Sequence, residues 1–141
     1  MITYPVNFEA SAQSQMGMKN PWIASASTLE VNCAVPREFD GPGGEFSPED
    51  FFLLAVQNCF IGTFKVFAEF SRLHFESLNL NSKLVVNKDE SGKPWMDSIH
   101  IKINISGLSD EKKLHLLINK TFENGFILRS IKTKITYDLG S

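Results

Sequence analysis

At 141 residues, with 14 Lys and Arg against 16 Asp and Glu and a net charge of −2, the chain is the size of a single domain, residues 1–141. Such a length buries roughly 70% of the unfolded surface without help from metals or disulfides, and the dispersed charge argues against nucleic acid or an anionic membrane surface as a partner. The two cysteines, one in an extended segment and one in mid-helix, fall short of a secreted disulfide framework and point to a reducing cytoplasm.

The opening MITYPVNFEASAQSQ has neither a basic start nor a continuous apolar stretch, so no signal peptide is expected there. Partial alternation from Ile2 to Phe8 predicts a strand, and Trp22 to Val35 a second extended region, both in an antiparallel sheet. Between them, Gly17 and Asn20-Pro21 carry turn chemistry. The DGPGG loop, Asp40 to Gly44, leads straight into a helix start. Exposed amides there invite an anion-binding reading. The Walker lysine is absent, however, and Glu45, Glu49 and Asp50 bring negative charge, which favours a tight turn and a self-capped helix.

Ser47 to Leu73 is the longest apolar segment. Ser47 is suited to the N-cap, Pro48 to the first helical position, and Asp50 to the reciprocal position of a capping box. Apolar residues from Phe51 to Phe70 cover most of the wheel, which predicts a helix buried nearly all round. Its longest uninterrupted apolar run, Phe51 to Val56, is far short of the roughly 18–20 residues that span a bilayer. Beyond it, Leu78 to Val86 and Ile99 to Ile105 alternate as half-buried strands. Ser109 is expected to cap a second, amphipathic helix that Asn124-Gly125 ends. Ile131 to Leu139 alternates as a last strand. The order of elements predicts an α+β fold with antiparallel sheet.

Cys59 is the leading chemical candidate. A free cysteine is often just a small buried hydrophobe, and a reactive one needs a nearby cation or helix start to favour its thiolate. Glu49 lies roughly 15 Å away along an unbroken helix and is explained by the helix dipole alone. Gln57 and Asn58 are polar within an apolar helix and mark either a pocket beside Cys59 or a contact with another chain. His74, His100 and His115 fall on separate elements as surface histidines, so no metal site is expected. A nucleophile elbow, a CxxC pair and a dinucleotide fingerprint are all absent, and no cofactor is expected.

The segments PREFDGPGGEFSPEDFFLLAVQNCF and IKTKITYD, in this order, resemble the OsmC/Ohr family of osmotically inducible and organic hydroperoxide resistance proteins. The resemblance implies an intertwined homodimer in which antiparallel sheets wrap two long central helices, with active sites at the subunit interface. It also implies that Cys59, with Glu49, occupies the position of the cysteine that attacks hydroperoxides. The family's resolving cysteine maps to Gly125, next to Phe126, so that thiol is missing; Cys33 reads as a core residue. The resemblance further implies an arginine, brought from an early loop, that holds the thiolate; no arginine precedes Arg37, and Lys19 or Arg37 is the cation that would substitute, though neither matches the family position. Three readings follow. The first is a one-cysteine peroxidase of organic hydroperoxides with an external thiol reductant. The second is a noncatalytic dimer that binds a small apolar ligand or senses oxidation. In the third, Cys59 only packs.

Overall fold

The computed structural model describes residues 2–140. They form two compact units, Met1–Phe51 and Phe52–Ser141, each described by itself below.

The first unit is built on an antiparallel sheet of β1 (Ala10–Gln13), β2 (Trp22–Ala26) and β3 (Leu29–Cys33), in that order. The register aligns Ala10 with Ala26 and Leu29, and Ala12 with Ala24 and Val31. One face of this sheet is therefore small and apolar, while Ser11, Ser25 and Glu30 point the other way. The strand expected over Ile2 to Phe8 does not form, and pairing begins only at Ala10. Pro5 removes a ladder donor inside that stretch. Ile2, Tyr4, Val6 and Phe8 are all left exposed, Phe8 by 93%. After β3, a short 3-10 turn (Arg37–Phe39) leads into the Gly-rich loop. That loop folds back on the strand end, with the Gly43 amide donating to the Val35 carbonyl and the Ala34 amide to the Phe46 carbonyl.

The expected capping box is complete. The Asp50 amide donates to Ser47 Oγ at 3.0 Å, and the Ser47 amide donates to Asp50 Oδ2 at 2.9 Å. It starts α1 (Pro48–Phe70), which begins in the first unit and continues through the second. Arg72, at φ 56°, adopts the left-handed conformation that ends a helix.

The second unit has a three-stranded sheet in the order β4 (Ser77–Lys88), β5 (Pro94–Ser106), β6 (Lys134–Leu139). β4 and β5 form a long antiparallel hairpin with a bulge at Val85/Val86. β6 joins β5 in parallel, so this sheet is mixed, whereas the order of elements predicts antiparallel sheet. The cause is α2 (Glu111–Asn124), a helical crossover that carries the chain back to the starting end of β5. Its cap is Asp110, whose side chain accepts from the Lys112 amide. Ser109, expected in that role, instead accepts from the His74 amide.

The core of this unit packs Val56, Phe60, Phe64 and Ala68 of α1 against Ile99, Ile101 and Ile103 of β5 and Leu114, Leu117 and Ile118 of α2. The four α1 residues recur every fourth position and form one stripe. The helix is thus buried along a stripe and not nearly all round: Val66 is 51% and Phe70 80% exposed. At 23 residues and a mean hydropathy of 1.6 in its most apolar window, α1 has the length and composition to cross a membrane. The buried stripe uses part of that apolarity for the core, and the rest stays uncovered within one chain.

Candidate thiol site

Cys59 lies on α1, half-buried, with its side chain against the core of the second unit. Two neighbours define the surroundings of its sulfur. On its own helix, Thr63 Oγ1 stands 3.9 Å from Sγ, as the four-residue spacing on one helix face dictates. The other is Gly125, at the C-terminal end of α2, where its amide donates to the Thr121 carbonyl at 2.8 Å. Gly125 has φ −60° and ψ 127°, a conformation open to any residue. Space, not backbone freedom, is the constraint there. A Cβ at this position would lie 3.1 Å from Cys59 Sγ, 3.1 Å from the Thr121 carbonyl oxygen and 2.7 Å from Leu128 Cδ1.

The structure therefore brings together Cys59 and Gly125, which the sequence paired only through family resemblance. The remaining predicted residues belong to the first unit. Lys19 Nζ donates to the Asp40 carbonyl at 2.6 Å. The side chain of Arg37 covers Gly43, with Nε 3.0 Å from where a Cβ would stand. Glu49 sits in the first turn of α1, and its Oε1 is buried without a hydrogen-bond partner among the described residues. Cys33 is 2% exposed, and its sulfur faces the Val31 carbonyl at 3.8 Å. Both cysteines are free thiols.

Gln57 accepts from Ser82 Oγ at 2.6 Å, and Asn58 donates back to the Leu54 carbonyl at 2.8 Å. The first ties α1 to β4, and the second stays within α1. His100 spends both ring nitrogens on the outer face of the sheet, on Thr136 Oγ1 and Asp138 Oδ2, each at 2.7 Å. His74 and His115 are exposed. No three His, Cys, Asp or Glu side chains gather as a metal site among the described residues.

A family model described as OsmC-like protein matches residues 41–140, which include the Gly-rich loop, Cys59 and Gly125. The chain belongs to the OsmC-like family. Among solved structures, an OsmC-like protein from Vibrio cholerae superposes with a TM-score of 0.85 at 17% identity, covering 96% of this chain and 100% of that one. The organic hydroperoxide resistance protein OhrB of Bacillus subtilis gives 0.74 at 17% identity, with 96% and 98% covered. At these identities the likeness is one of fold. By sequence, the YmaD protein of Bacillus subtilis is 27% identical over 118 residues, 81% of this chain and 79% of that one.

Within this OsmC-like fold, the residue that sequence reasoning missed is Thr63. Its spacing from Cys59 was visible. What no pattern shows is that its hydroxyl turns to the sulfur.

Proposed function

We propose that this OsmC-like chain is a one-cysteine peroxidase of organic hydroperoxides, with Cys59 as the attacking thiol and an external thiol as reductant. The observation that carries the reading is the glycine opposite the sulfur. Position 125 faces Cys59 closely enough to hold a resolving group, yet it offers none. The oxidised sulfur must then be resolved from outside.

The chemistry balances in three steps. The Cys59 thiolate attacks the outer oxygen of ROOH, an S–O bond forms as O–O breaks, and the alkoxide takes a proton and leaves as ROH. The resulting sulfenic acid condenses with an external thiol to give a mixed disulfide and water. A second thiol displaces Cys59 from it and is released as the external disulfide. Glu49 keeps, as a proposal, the role that the family resemblance implies for it; its Oε1 is buried without a hydrogen-bond partner among the described residues. Lys19 and Arg37 remain the cations proposed to assist the thiolate.

The functional unit proposed is a homodimer. The exposed Val66 and Phe70 on α1 and the apolar face of the first sheet support it, because each leaves apolar surface uncovered within one chain. A supply of reducing thiols makes the cytoplasm the proposed location.

The test is direct. One equivalent of cumene hydroperoxide should consume one thiol per chain and leave a sulfenic acid on Cys59 that dimedone traps; the adduct should vanish in Cys59→Ser. Turnover should require added glutathione or dihydrolipoamide. A Cys59 thiol that survives excess hydroperoxide at neutral pH would overturn the proposal.

A further inference from the structure

A threonine inside a helix normally returns its hydroxyl proton to the carbonyl one turn back. Thr121 does so, donating to the Leu117 carbonyl at 2.7 Å. Thr63 does not. The residue one turn back from it is Cys59, and its hydroxyl makes no bond to the Cys59 carbonyl. Among the described residues its hydrogen-bond partner is the Cys59 sulfur, at 3.9 Å. Both side chains are half-buried, so the hydroxyl has limited access to water. Gly125 also lies beside the sulfur: a Cβ there would stand 3.1 Å from Sγ.

We infer that Thr63 is a positioning residue for the thiol, its O–H aimed at Cys59 Sγ so that it donates to the thiolate. The inference rests on the reading of Cys59 as the attacking group and deepens it. When the sulfur is a neutral thiol, either atom can be the donor and the contact is weak. When the proton leaves Cys59 for solvent, only the hydroxyl can donate, and a hydrogen bond to a charged acceptor is shorter and stronger than a neutral one. The contact therefore favours the reactive form over the resting form. No cation is needed for this contribution, and it comes from within the same helix as the thiol.

The experiment measures the alkylation rate of Cys59 by iodoacetamide in the full-length protein, site-resolved by peptide mass spectrometry. It thus reads thiolate formation whether or not hydroperoxide turnover occurs. Thr63→Val keeps the shape and removes the hydroxyl; Thr63→Ser keeps the hydroxyl. At about pH 7 the valine variant should react about tenfold more slowly than the parent, the size expected for losing one charge-assisted hydrogen bond. The serine variant should stay near the parent. At about pH 10, where an ordinary thiol is ionised, all three rates should converge. Equal rates for the valine variant and the parent at about pH 7 would overturn the inference. So would a deficit shared by both variants, or one that persists at about pH 10, because either pattern reports altered access and not hydrogen bonding. Failure of the peroxidase reading would show separately, as an unreactive thiol toward hydroperoxide in the parent.

Discussion

Cys59 and Gly125 show how one position can decide the course of a reaction. With a cysteine at 125, the sulfenic acid would meet a resolving thiol inside the fold; with glycine it meets none. Gly125→Cys should restore that partner, since its Cβ would lie 3.1 Å from Cys59 Sγ and a sulfur carried on it can reach the bonding distance of about 2 Å. The obstacle is Leu128 Cδ1, 2.7 Å from the same point, but that is the end of a flexible side chain. After one equivalent of hydroperoxide, the variant should release water and hold a 59–125 disulfide, seen in a non-reducing digest. A dimedone adduct as abundant as in the parent, with no disulfide, would contradict the geometry. Of these contacts the sequence exposes only part. Cys59 stands out as a cysteine in mid-helix, and Thr63 lies at a readable spacing from it. The approach of Gly125 joins the start of the unit to the end of α2, which no local pattern encodes, so it was reached only through resemblance.

Local rules predicted the elements well wherever a local cause governs them. The Ser47 and Asp50 capping box formed as its spacing requires, and Ile99, Ile101 and Ile103 are buried as their alternation implies. The parallel placement of β6 was not legible, because alternation reveals which face a strand buries but not the direction of its neighbour. Nor was the half-covered state of α1, whose apolar residues exceed what one chain can bury. The β4–β5 connection carries its own electrostatic signature. Asp89 accepts from Ser91 Oγ at 2.6 Å and from the amides of Ser91 and Lys93 at 2.8 and 3.0 Å. These bonds, the Ser91 hydroxyl first among them, hold its carboxyl below the usual carboxylate range. The sign follows: the folded hairpin favours the charged form. Its contribution is therefore full above the ordinary carboxylate midpoint and is lost as pH falls through the depressed one. An NMR titration should place the Asp89 midpoint below that of an unstructured peptide, and Ser91→Ala should raise it. Identical midpoints in protein and peptide would refute this account.

For the whole molecule, the exposed apolar surface leads to a prediction about assembly. Phe70 at 80% and Leu29 at 75% exposure are costly to leave in water. Sedimentation should give about twice the 15.8 kDa chain mass. Replacing Val66 and Phe70 by Glu should shift the protein toward monomer, whereas a monomeric parent at micromolar concentration would remove the dimer from the proposed function. The bulge at Val85/Val86 has a different consequence. Each three-stranded sheet has two edge strands, and an open edge recruits strands from other molecules into aggregates. Three of these edges are blunt by length: β1, β3 and β6 have 4, 5 and 6 residues. The fourth, β4, runs for 12 and would be the hazard. The bulge breaks its register near one end, and Lys83 stands exposed on the strand itself. An aggregating strand would have to match a kinked ladder and bury a charge, so the irregularity in β4 keeps its longest edge from becoming a template.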